Sequence, residues 1–175
     1  MALLNSILEY KPDTWDERDY DDVRFVRIPL QKRSGEFREI EAEFLGKFGS
    51  DKAVLGIERI QHPFAYGRYQ IRKRHLQKLN GRIPSEKRVF YAIYDSNKID
   101  QILEFNCDER RGGCMYNKYG YSSLSSEYVL VVNTFSDYGF DERDTHRYPE
   151  YLIRHEKNNT RSNDLGYLFD QLKLY

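Results

Sequence analysis

The chain has 175 residues, and its 28 basic and 28 acidic side chains cancel at pH 7, with 32% of residues charged and 39% hydrophobic. That length suits one domain with one core. The charge balance excludes a global field toward nucleic acid or anionic lipid, so binding of that kind needs a local patch. Fifteen tyrosines, ten phenylalanines and one tryptophan supply large side chains for a core and exclude a disordered composition.

Cys107 and Cys114, with six residues between them, match neither a disulfide framework nor the paired spacing of a zinc site. The four histidines, His62, His75, His146 and His155, lack the close spacing of a metal pair, so no metal site is expected. MALLNSILEYKPD has no basic leader before its apolar residues, and no apolar stretch of about 18 residues follows. A cytoplasmic or nuclear location with no membrane contact is expected.

In chain order, Val26, Ile28 and Leu30 alternate with Arg27 and Pro29, which predicts a strand over 23–28 at a sheet edge or ending at the proline. Ser34 opens a segment in which Phe37, Ile40, Phe44 and Phe48 recur at helical spacing, with Glu36 in the first turn, and a helix over 35–47 follows. Leu55, Ile57 and Arg59 alternate with Gly56, Glu58 and Ile60 as a second strand. Pro63 then starts a helix over 63–79, with Ala65, Tyr69, Leu76 and Leu79 on one face, basic residues on the other, and Asn80-Gly81 as a left-handed stop.

Val89, Tyr91 and Ile93 alternating with Phe90 and Ala92 form a buried strand, a short helix covers 96–105, and strands are predicted over 128–135 and 148–155. The order implies an α+β domain over 1–156, with helices packed at one side of a mainly antiparallel sheet. Residues 157–164 are a polar linker, and Leu165, Leu168, Phe169 and Leu172 mark a short amphipathic helix that either folds back or binds a partner. The basic stretch from Arg68 to Arg74, with Tyr66 and Tyr69, reads as a solvated helix face or as a contact for single-stranded RNA.

Several stretches, in order, resemble the catalytic domain of the poly(ADP-ribose) polymerase (PARP) family, especially its mono-ADP-ribosylating members. Pro12-Asp13-Thr14-Trp15 and Ser34-Gly35-Glu36-Phe37 look like the family's opening "P-x-T-W … S-x-E-[FY]", and Ile57-Glu58-Arg59-Ile60-Gln61-His62-Pro63 is similar to its "I-x-R-I-Q-N-P". Phe105 and Gly113 to Tyr121 resemble "G-F … Y-G-K-G-x-Y-F", Val129 to Tyr138 resembles the strand ending in "G-D-Y", and Tyr148-Pro149-Glu150-Tyr151-Leu152-Ile153 resembles the closing "Y-P-E-Y-L-I". Nine residues separate Tyr138 from Tyr148, fewer than the family places there, which implies a trimmed sheet.

The resemblance implies an ADP-ribosyltransferase fold, NAD as co-substrate if active, and a His-Tyr-Glu constellation that here reads Tyr91-Tyr121-Glu150. Tyr91, Ala92 and Ile93 stand where the family has the His-Gly-Thr that grips NAD, Tyr121 where a tyrosine stacks on nicotinamide, and Lys118 on the family lysine, with Tyr116 in the same loop. A bulkier side chain at Tyr91 and an added methyl at Ala92 weaken that grip. The resemblance thus implies a weak or inactive pseudo-enzyme serving as a binding or scaffolding module with a protein partner. The alternative is an NAD-dependent protein mono-ADP-ribosyltransferase that uses Glu150, Tyr121 and Tyr91.

Overall fold

The structure, a computed structural model, describes residues 11–16, 24–50, 52–106, 126–135 and 146–156. β1 (Val26–Pro29) leads into α1 (Gly35–Phe48), whose start is fixed by Ser34: its hydroxyl accepts the Phe37 N–H at 3.1 Å. β2 (Val54–Gln61) runs into α2 (Pro63–Asn80), with proline at the first helical position and Gly81 closing the far end at φ 68°. β3 (Glu86–Ile93) is followed by a 3-10 turn (Ser96–Lys98) that Asp95 caps, and by α3 (Ile99–Glu104); β4 (Tyr128–Phe135) and β5 (Arg147–His155) complete the described elements.

The five strands form one sheet in the order β1-β2-β5-β4-β3, with every neighbouring pair antiparallel. The helices do not gather at one side of it, as the element order alone suggested. Alternate residues of each strand leave opposite faces, and both faces are apolar, so each needs a cover. On one face α1 packs Phe37, Ile40 and Phe44 against Ile57, Val131 and Ile153. On the other, Ile99, Ile102 and Leu103 at α3 pack against Tyr91, Leu130 and Leu152.

α2 lies across the end of the sheet, where Ala65, Tyr69 and Leu76 meet Trp15, Phe135 and Tyr148. Tyr69 stacks flat on Phe135 with ring centroids 4.5 Å apart, and the Tyr148 hydroxyl donates to the Ile60 carbonyl at 2.8 Å, tying β5 to β2. Leu79 departs from the helical face assigned to it: it is 66% exposed, because the last turn of α2 runs beyond the sheet it covers.

Two register breaks decide which way nearby side chains point. Val54 pairs with His155 and Gly56 with Arg154, so Leu55 is an extra residue in β2. That bulge lets Val54 and Ile57, an odd number of positions apart, share the α1 face, and leaves Leu55 42% exposed. The second break falls in β5, where Val132 pairs with Pro149 and Val131 with Tyr151, so that Glu150 has no partner residue on β4.

Candidate functional site

Of the residues nominated for the site, Tyr91 and Ala92 lie on β3 and Glu150 on β5. Along β3, Val89, Tyr91 and Ile93 face α3, whereas Arg88, Phe90 and Ala92 face α1, as the period of a strand requires. Tyr91 is 3% exposed, locked into the α3-side core beside Leu130 and Leu152, with Leu130 directly across the ladder. Ala92 is buried on the other face among Phe44, Val129 and Val131.

Glu150 would share the face of Leu152, two residues on, if β5 were regular, which would put it beside the row that holds Tyr91. The bulge breaks that alternation. The Glu150 carboxylate instead reaches Arg88, whose Nε donates to Oε2 at 2.9 Å and whose Nη2 donates to Oε1 at 3.3 Å, a forked pairing of guanidinium and carboxylate. The second side of the fork is engaged as well: Nη1 of Arg88 donates to Glu39 at 2.8 Å and to Glu43 at 3.1 Å, both on α1.

The Arg88 guanidinium also lies over the Tyr151 ring, 5.6 Å from its centroid. Burial alone would lower its pKa, but the carboxylates of Glu150, Glu39 and Glu43 outweigh burial and hold it above the ordinary value. Next along the same helix, Glu36 accepts the Tyr151 hydroxyl at 3.0 Å and pairs with buried Arg59 at 3.3 Å. Burial first, and then Glu150 and Glu36, push the Tyr151 pKa well above that of a free phenol.

Of the residues the sequence nominated, Tyr91 and Glu150 therefore leave the sheet on opposite faces, and Ala92 lies on the Glu150 side. Tyr116, Lys118 and Tyr121 fall outside the described residues. Arg88, Glu39 and Glu43 were not singled out by sequence, although Glu36, Glu39 and Glu43 recur at helical spacing beside the apolar stripe of α1, the one signal that could have pointed to a charged seam there. No group of three metal-ligating side chains occurs among the described residues, and no described helix is long and apolar enough to cross a membrane.

The chain is similar over 143 residues to the protein mono-ADP-ribosyltransferase PARP12 of Mus musculus, at 29% identity, covering 82% of this chain and 19% of that protein. The Homo sapiens PARP12 matches over the same length at 27% identity, covering 82% of this chain and 20% of the human protein. The chain thus spans about a fifth of the length of the curated relatives it matches. No protein-family model matches it. These similarities, together with the five-stranded antiparallel sheet and its helices, support a PARP-like, ADP-ribosyltransferase-like domain.

Proposed function

We propose that this domain is a pseudo-enzyme: an ADP-ribosyltransferase-like fold that serves as a binding or scaffolding module and does not transfer ADP-ribose. The observation that carries this reading is the forked Arg88–Glu150 pair on the face of the sheet opposite Tyr91. Glycosyl transfer from NAD needs a carboxylate free to stabilise positive charge developing on the ribose, and donors placed to hold the nucleotide. A carboxylate already neutralised by a guanidinium has little left for a second cation. A tyrosine that is 3% exposed offers no ring or hydroxyl to a cleft. The described residues at these two positions do not fit a nicotinamide ribose held between them.

A module of this kind acts through its surface. Arg72 is turned to His146 and Lys73 to Glu86, and Tyr69 is buried, so the basic stretch of α2 offers less to an RNA backbone than its composition suggests. Phe64 and Ile71 are 51% and 58% exposed on the same helix, which favours a protein partner. The competing reading, an NAD-dependent mono-ADP-ribosyltransferase, is favoured by the activity named for the PARP12 relatives.

Isothermal titration with a non-hydrolysable NAD analogue tests the proposal. No heat of binding up to millimolar analogue is the expected result. Micromolar binding that Tyr121→Ala abolishes would overturn it.

A further inference from the structure

β1 ends at Pro29, and the chain turns away to α1 before β2 has run its full length; the last backbone bond across this pair is from Leu30 N–H to the Ile57 carbonyl. The gap left beside the β2–β5 ladder, between the Gly56–Arg154 and Glu58–Leu152 rows, is a cavity of about 370 Å³. That volume lies within the roughly 300–1,000 Å³ range typical of small-molecule sites.

The cavity offers hydrogen-bond donors in excess of acceptors. Arg27 spends Nε on Glu58 at 2.6 Å and one Nη1 bond on Asp100 at 3.1 Å, leaving Nη2 outside its described contacts. Arg154 spends Nε on Glu127 at 2.7 Å, and its guanidinium lies 5.9 Å from the centroid of the Tyr128 ring, with both Nη groups outside its described contacts. Lys32, at the mouth, has no partner among the described residues. The carboxylate in the wall, Glu58, is already accepting from Arg27.

Because Glu58, Asp100 and Glu127 balance the three cations in number, attraction to an anion comes from oriented donors and not from a net field. Each guanidinium is paired through Nε with a carboxylate, Arg27 with Glu58 and Arg154 with Glu127, which restricts the side chain and lowers the ordering a ligand must impose. The remaining walls, Leu30, Leu55, Leu152 and Tyr128, are apolar or aromatic. At Gly56 a Cβ would meet nothing within 4 Å, so the floor is open.

We infer that this cavity is a binding site for a small oxyanion, a carboxylate or a phosphate, carried on a compact aromatic or apolar body. It is separate from Glu150 and stands whether or not the domain transfers ADP-ribose. The test is a heteronuclear NMR titration of the full chain with phenyl phosphate, with benzoate and with neutral benzyl alcohol. At least one anion is expected to shift the Gly56 amide and the Arg154 Nε–H signals saturably, and the one that does identifies the head group. Benzyl alcohol should bind roughly tenfold or more weakly, the worth of one hydrogen bond to a charged group.

Gly56→Leu fills the floor of the cavity and should remove anion binding while keeping the fold. Should that variant fail to fold, Arg154→Gln, at an exposed guanidinium, should weaken binding about tenfold for the same reason. Absence of a Gly56 shift with both anions, equal binding of benzyl alcohol, or anion binding unchanged by the substitutions would each overturn the inference.

Discussion

His62 caps α2 with a neutral ring: its Nδ1 accepts the Ala65 N–H at 3.3 Å, and the residue is 4% exposed. Burial, and then the nearby charge of Arg68, lower its pKa from 6.5 to about 4. The unfolded chain therefore takes up a proton as pH falls through 6.5 while the folded chain does not. Stability held above pH 6.5 is lost progressively down to about pH 4, and this group costs nothing further below that.

The loss attributable to His62 is about 3 kcal/mol, from the size of the shift. His155, whose pKa burial also lowers, adds to the slope in the same direction. In the PARP motif that this stretch resembles, the matching position is asparagine, a good N-cap that does not titrate. Urea unfolding at several pH values should show His62→Asn keeping most of the neutral-pH stability and flattening the decline between pH 6.5 and 4; an unchanged slope would contradict the assignment to His62.

Residue by residue, the candidate site was only partly readable. The alternation around Tyr91 placed it in a buried strand, and it is buried. Which way Glu150 points was not readable, because a bulge is set by the pairing partner and leaves no mark in YPEYLI itself. Arg88 escaped notice because its partners lie 45, 49 and 62 residues away in the chain, on α1 and β5.

Among the elements, those with their own stop signals were legible. Ser34 and the Phe37, Ile40, Phe44 stripe marked α1 almost to its ends, and Pro63 with Gly81 did the same for α2. β2 was placed correctly along the chain, but its faces were confused by the extra residue at Leu55, since pattern reading assumes an unbroken period of two. β1 was expected a few residues early, over 23–28, and forms at Val26–Pro29, where β2 supplies its partner residues.

The C-terminal stop of α2 yields a direct check. Gly81 sits at φ 68°, and a Cβ added there would meet nothing within 4 Å, so a substitution is opposed by backbone strain alone and not by crowding. Gly81→Ala should lower stability by about 1 kcal/mol, read as a shift in the urea midpoint at constant slope. No loss would mean that α2 ends by some means other than a left-handed residue.

For the molecule as a whole, helices on both faces and one across the end follow from strands that are apolar on both sides, notably Val129, Leu130, Val131 and Val132 in β4, all 0% exposed. Such a run needs two covers, and reading the helices as one-sided missed that. The two faces also separate the chemistry: the charged seam of Glu36, Glu39, Glu43, Arg88 and Glu150 lies with α1, whereas Tyr91 lies with α3. The described sheet is antiparallel throughout, and its Glu150 is held in an ion pair with Arg88.

If the two faces keep Glu150 and Tyr91 apart in solution, no transfer chemistry can be assembled between them. The most direct test is incubation of the purified chain with radiolabelled NAD, alone and with added acceptor protein, beside the Glu150→Gln variant. No protein-bound label above background is expected from either. Label on the chain or on the acceptor that Glu150→Gln removes would show that Glu150 leaves Arg88 to do chemistry, and would contradict the pseudo-enzyme reading.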